Sequence, residues 1–127
     1  MNNQTVFPTF KYAKAHAAIE WLERVLGAER IAVHEDGARI SHAELRLGNS
    51  AIMLGGLEGG TATPPGGVVT YVVVPDADAA HRRAVDAGAD VSGDPVEQDY
   101  GSRDFSVTDP EGNVWALGTY RGAAAED

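Results

Sequence analysis

The stretch SHAELRL, residues 41–47, sets His42 and Glu44 two positions apart, with Arg46 beyond them and Ala43, Leu45 and Leu47 in between. Successive side chains of an extended chain point to opposite sides, so the polar set shares one face and the apolar set the other. An imidazole beside a carboxylate can be a hydrogen-bonded pair on a solvated strand face. It can also hold a ligand, act as an acid–base couple, or supply two donors of a metal site that still needs a third. All of these stay open from the residues alone. The second candidate is YGSRDF, residues 100–105. Gly101 permits an unusual backbone turn beside Tyr100 and Arg103. An aromatic ring with a guanidinium can stack on or clamp a planar or anionic ligand. Alternatively Arg103 pairs with a surface carboxylate, an easy match with 19 Asp and Glu against 10 Lys and Arg.

Other chemistries find less support. With no cysteine in the chain, thiolate metal sites, iron–sulfur clusters and a cysteine nucleophile are excluded. GNSA at 48–51 is not a nucleophile elbow, and GGLEGG at 55–60 lacks the Lys-Ser/Thr end of a phosphate loop. Of the remaining histidines, His16 falls in a first helical turn, His34 lies near the EDG turn without an assigned role, and His81 borders a helical apolar stripe. The polar cluster DPEGN, residues 109–113, reads as a turn. Asp109 suits its first position, Pro110 fixes φ at the second, and Gly112 can return the chain through a left-handed conformation. SVTD and VWALG on either side then form a hairpin.

Two helices position these segments. In AKAHAAIEWLERVLG, Ala15, Ala18, Ile19, Leu22, Val25 and Leu26 make one apolar stripe, with Trp21 off it and Gly27 as the stop. In DADAAHRRAVDAGAD, Asp76 is the N-cap, Ala77, Ala80, Ala84 and Val85 form a weaker stripe, and Gly88 ends the helix. An extended segment precedes each helix, VFPTFKY and VVTYVVV. Strand-like pieces follow: ERIAVHE, SHAELRL and SAIMLGG after the first, ADVSG, RDFSVTD and NVWALGTY after the second. The order strand–helix–strand–strand–strand thus occurs twice, at an offset of about 62 residues, with GGLEGGTATPPGG as the connection.

A length of 127 residues suits one domain, and 43% apolar residues is enough for a globular core. The formal charge of −9 argues against a nucleic-acid partner and suits a neutral or cationic small ligand. The longest apolar run is far short of the roughly 20 residues of a membrane helix. MNNQTVFPTF has no basic start followed by an apolar stretch, so the expected location is cytoplasmic, with no membrane partner.

YGSRDFSVTDPEGNVWALGTY resembles the C-terminal signature of the vicinal oxygen chelate superfamily, which includes glyoxalase I, bleomycin-resistance proteins and extradiol dioxygenases. AHAAIEWLERVLGAE followed by HAELRLGNSAIMLGG resembles the N-terminal half of its small glyoxalase-like members. The resemblance implies an α+β fold of two βαβββ modules with curled mixed sheets around a cavity, and a homodimer. It divides one domain, 1–127, into a module at about 5–55, a linker at about 56–67, a second module at about 68–120 and a tail at 121–127.

Catalytic members hold a divalent metal with one side chain from the first and one from the last strand of each module. Those positions fall here on or near Pro8, Met53, Thr70 and Ala116, which are not a plausible ligand set. The expectation is therefore a binding protein without a metal or other cofactor, of the sequestration or resistance type. Its ligand would be held by residues drawn from His42, Glu44, Met53, Tyr71, Tyr100, Arg103, Phe105 and Trp115. The alternative is an enzyme, either a metal-dependent lyase, isomerase or dioxygenase with relocated ligands, or an acid–base catalyst using His42 and Glu44.

Overall fold

The computed structural model describes residues 4–57, 64 and 68–121. The chain divides into two compact units, Met1–Pro65 and Gly66–Asp127. Most of the expected linker at 56–67 and tail at 121–127 lies outside the described residues.

The first unit runs β1 (Thr9–Lys11), α1 (Ala15–Leu26), β2 (Glu29–Asp36), β3 (Arg39–Leu47) and β4 (Ser50–Gly55). Its sheet has the order β1-β4-β3-β2; β1 is parallel to β4 and the other pairs are antiparallel. The second unit repeats the plan with β5 (Val69–Val73), α2 (Ala77–Asp86), β6 (Asp90–Val91), β7 (Val96–Glu97), β8 (Arg103–Thr108) and β9 (Val114–Gly118). Its main path is β5-β9-β8-β6, with β5 parallel to β9 and the short β7 also pairing β8. The fold is thus α+β, with mixed sheets, as the sequence pattern implies. The two-residue β7 was not foreseen, because VEQD carries no alternation that marks a strand. No helix among the described residues is long and apolar enough to cross a membrane.

Local chemistry sets the helix ends. At the end of α1, Gly27 takes φ 74°, its N–H donates to Glu23 O and the Ala28 N–H to Leu22 O, which satisfies carbonyls the helix leaves open. At the start of α2, the Asp76 carboxylate accepts the Ala79 N–H at 3.1 Å. Gly88, at φ 77°, turns the chain away after the last turn.

Ala15, Ala18, Ile19, Leu22 and Val25 are buried, as their spacing requires. Trp21 is buried too, although it lies off that stripe; the apolar face of α1 is wider than the spacing suggested. On α2 the stripe differs from expectation at one place. Ala77 and Ala84 are buried, but Val85 is exposed. The inward position between the two alanines belongs to His81, whose ring meets Phe105 edge-on at 5.1 Å. One turn after Ala77 comes His81, and one turn later Ala84, so the packed face follows that line.

The DPEGN turn does more than reverse the chain. The Asp109 N–H donates to Asn113 O at 2.8 Å, its carbonyl accepts the Gly112 N–H at 2.9 Å, and Gly112 has φ 94°. The Asp109 side chain is only 4% exposed. Its Oδ1 accepts the backbone N–H groups of Glu111 and Asn113, both at 3.0 Å. Its Oδ2 accepts from Asn113 Nδ2 at 3.2 Å and from Trp115 Nε1 at 3.3 Å. Trp115 is fully buried, so this carboxylate satisfies an indole N–H that would otherwise lack a partner in the core.

Removing the carboxylate leaves buried donors unpaired, each costing on the order of 1–3 kcal/mol. Asp109→Ala is therefore expected to lower the unfolding free energy by about 2–4 kcal/mol in urea denaturation. Asp109→Asn, which keeps one acceptor oxygen, should fall between Asp109→Ala and the native chain.

Candidate functional site

Strand pairing assigns every residue of each sheet to one of two faces. In the first unit, Phe10, Leu45, Leu47, Ile52 and Leu54 are buried and share the face on which α1 packs against β3. The alternate residues form the open face. A row crosses all its strands, Thr9 beside Met53, Met53 beside Glu44, and Glu44 beside Ala32. In the second unit, Phe105, Val107, Trp115 and Leu117 are buried on the face that α2 covers. The open-face row there is Tyr71, Ala116 and Ser106.

These rows correct the placement of two expected metal positions. Met53 and Ala116 do lie on open faces. Their first-strand neighbours, however, are Thr9 and Tyr71 rather than Pro8 and Thr70. Pro8 precedes β1, and Thr70 is in register with Trp115 on the helix side. The one-residue shift exchanges faces because the side-chain period is two. In the first unit Thr9 and Met53 offer a hydroxyl and a thioether, and in the second Tyr71 and Ala116 offer a phenol and no further donor; neither pair is one that a divalent metal favours. Among the described residues, no three His, Asp or Glu side chains are placed to share a cation.

On the first open face His42 and Glu44 meet as their spacing predicts, with Nε2 and Oε2 2.9 Å apart. The two side chains are 41% and 33% exposed. His34, which sequence reasoning left without a role, is the cross-strand partner of His42, and their rings stack at 6.1 Å. Register shifts between Arg30 and Ala32 and between His34 and Glu35 interrupt the β2–β3 ladder, so counting back from the EDG turn does not give this pair. Arg46 reaches across to Glu29 at 3.1 Å and takes no part in the His42–Glu44 contact.

The second open face gathers phenols around one carboxylate. Asp104 Oδ2 accepts from the Tyr100 hydroxyl and from Ser102 Oγ, both at 3.2 Å, and Oδ1 accepts from Gln98 Nε2 at 2.9 Å. Ser102 is fully buried, and its Oγ lies 3.2 Å from the Tyr71 hydroxyl. The Tyr71 oxygen in turn accepts the backbone N–H of Tyr120 at 3.1 Å. Tyr100 and Tyr120 pack edge to face at 5.3 Å. The Tyr71 ring lies over Gly118, where a Cβ would strike both its hydroxyl and Asp104 Cβ. Asp104, Ser102 and Gln98 were missed in the sequence. Alternation in RDF held the signal, because Arg103 and Phe105 on one face force Asp104 onto the other.

Three expected site residues lie elsewhere. Arg103 does not join Tyr100. Its guanidinium pairs with Asp78 at 2.9 Å and lies 3.6 Å from Glu97, the surface-carboxylate arrangement of the two readings weighed. That hydrogen bond holds the Asp78 carboxyl below its ordinary range. Phe105 and Trp115 are in the core beneath α2. A clamp for an anionic ligand at this loop therefore loses its cation, since the guanidinium is already committed.

Partial desolvation, and then the Asp104 carboxylate that accepts its proton, hold the Tyr100 phenol above the ordinary range. A phenol raised in this way adds stability below its unfolded pKa, and that contribution is lost as pH rises through the folded value. Ultraviolet difference titration should show one tyrosine ionising later than free phenol. Asp104→Asn should lower that transition without returning it fully to the ordinary value, because desolvation is the larger cause.

The sequence profile of the Glyoxalase/Bleomycin resistance protein/Dioxygenase superfamily matches residues 12–117. An uncharacterized protein of Mycobacterium bovis is 35% identical over 116 residues, covering 84% of this chain and 70% of the relative. An uncharacterized protein of Mycobacterium tuberculosis matches at the same identity, and there the alignment covers 63% of the relative's length. Among solved structures, TioX from Micromonospora sp. ML1 superposes with a TM-score of 0.77 at 27% identity, covering 94% of this chain and 98% of that one. The fosfomycin resistance protein FosX from Mesorhizobium loti shares the fold, with a TM-score of 0.69 at 16% identity over 100% of both chains.

Proposed function

The chain belongs to the Glyoxalase/Bleomycin resistance protein/Dioxygenase superfamily, and from that premise we propose that it binds a small organic molecule without a metal and without transforming it. One observation supports this reading. The first- and last-strand neighbours on the open faces are Thr9 and Met53 in the first unit and Tyr71 and Ala116 in the second, and neither pair supplies an imidazole or carboxylate, the donors a divalent ion favours. What the open faces do offer is mixed apolar and polar surface, the ordinary lining of a small-molecule site. We take the functional form to be a cytoplasmic homodimer of one two-module domain, acting by sequestration, in keeping with the bleomycin resistance proteins in the superfamily's name. His42, Glu44 and Met53 on one sheet, and Tyr71 and Tyr100 on the other, are the residues assigned to the ligand.

A second reading has one specific contact in its favour. The 2.9 Å approach of His42 Nε2 to Glu44 Oε2 is the geometry of an acid–base couple, which could move a proton on a bound molecule.

A ligand that binds only the folded state raises stability by about 2.7 kcal/mol at a hundred times its Kd. Protein purified without chelators or an affinity tag is therefore expected to carry no stoichiometric metal by elemental analysis. Its melting temperature should also not change when zinc, nickel or manganese is added. A tightly held divalent ion, or a metal-dependent rise in melting temperature, would overturn the metal-free reading. Screening metabolites and antibiotics by thermal shift should yield stabilising compounds. With such a compound, His42→Ala should weaken binding several-fold and leave the melting temperature of the free protein nearly unchanged.

A further inference from the structure

Asp104 is an ionisable group whose hydrogen-bond partners are all neutral: an amide from Gln98, a phenol from Tyr100 and a hydroxyl from Ser102. Among the described residues no Lys, Arg or His lies within ion-pair distance of it. The adjacent cation in sequence, Arg103, faces the other side of the strand and is committed to Asp78 and Glu97. The carboxylate therefore has no counterion among the described residues, in a chain that already carries a formal charge of −9.

Three phenol rings stand around it. Tyr100 touches the carboxylate directly, and Tyr71 is linked to it through Ser102. Tyr120 is joined to Tyr71 by its backbone N–H and to Tyr100 by an edge-to-face contact. The rings remain open to approach, at 39%, 57% and 37% exposure for Tyr71, Tyr100 and Tyr120. Ordered phenols at this exposure are not serving as core, and the rings are too closely tied to one another to be independent surface residues. Gly118 makes the arrangement possible, because any side chain there would displace Tyr71.

We propose that Tyr71, Tyr100, Tyr120 and Asp104 form a receptor for an organic ammonium, and that the ligand of this protein carries a protonated amine. The inference rests on the binding reading above and adds the chemical class. Aromatic faces attract a cation through their quadrupole, and a carboxylate adds a charge-assisted hydrogen bond from the ammonium N–H. Neutral donors already occupy the carboxylate oxygens, so the cation meets a fixed acceptor with lone pairs to spare. An anionic ligand would meet the Asp104 carboxylate with no Lys, Arg or His beside it among the described residues, so its charge is repelled here.

The test uses the full chain after chelator treatment, titrated by NMR at low ionic strength with benzylammonium, benzyl alcohol and benzoate. These share one ring and differ in charge. The expected result is binding of benzylammonium about tenfold tighter than benzyl alcohol, a preference of roughly 1.4 kcal/mol, with benzoate weaker than either. The preference should shrink with added salt. The shifted resonances should be those of Tyr71, Tyr100 and Tyr120.

Asp104→Asn keeps the shape and one acceptor, and should cut the charge preference several-fold, leaving only the part that the rings supply. Tyr100→Leu, at an exposed position, should weaken the cation several-fold while the circular dichroism stays native. Equal binding of benzyl alcohol and benzylammonium would overturn the ammonium receptor and leave the binding reading intact. A cation preference undiminished by Asp104→Asn would overturn it as well. Metal-dependent turnover would instead overturn the binding reading, while the charge preference of the chelated protein would still report on the tyrosines.

Discussion

One helix can cover only one face of a sheet, and in each unit that constraint decides what every strand residue is for. Under α1 the covered positions go to Phe10, Leu45, Leu47, Ile52 and Leu54. Under α2 they go to Phe105, Val107, Trp115 and Leu117. Alternation then leaves the residues between them no choice of direction. Glu44 and Met53 face away from α1 because Leu45, Ile52 and Leu54 face toward it. Asp104 faces away from α2 because Phe105 does not. The chemistry of each open face is fixed by where the apolar residues beside it must pack.

The two units solve the packing problem alike and use the free face differently. Each has a first strand parallel to its last, a helix between, and antiparallel strands beyond. The return from the helix diverges most. In the first unit it is the eight-residue β2, while in the second it is two short pieces, β6 and β7. The longer β2 brings His34 opposite His42 and gives the first face an imidazole pair beside a carboxylate. The shorter pieces leave a loop between β7 and β8 that carries Gln98, Tyr100 and Ser102 to Asp104. The two units therefore share a scaffold, and the connections after each helix set the two faces apart.

What could be read from the sequence was local. Gly27, Asp76 and Gly88 mark helix ends through their own backbone or side-chain chemistry, and all three act in the structure as their residue types require. The DPEGN turn is equally self-contained, and His42 with Glu44 needed only alternation within one strand. The misplaced features depend on partners far along the chain. Whether Pro8 or Thr9 joins Met53 is set by the parallel register of β1 and β4, across more than forty residues. Arg103 finds Asp78, which lies 25 positions earlier in the chain. His34 meets His42 across an irregular ladder, and the His81 ring meets Phe105 while Val85 is exposed. Residue type announced each of these side chains without naming its neighbour.

The two buried or half-buried aspartates of the second unit show how the same group acquires different work. Asp109 is closed in by the turn and by the Trp115 indole, and its acceptor capacity is spent on donors that have nowhere else to go. Without those oxygens the core tryptophan would lack its acceptor, so this side chain serves the fold. Asp104 is surrounded by donors of a different kind. Tyr100 is an exposed phenol whose hydroxyl could be hydrated as readily as bonded, and Gln98 is half-buried. Ser102, the third donor, is fully buried and shares its hydroxyl between Asp104 and Tyr71. A carboxylate with no cation beside it among the described residues, next to rings that are not buried, is the feature on which the proposed ammonium receptor rests.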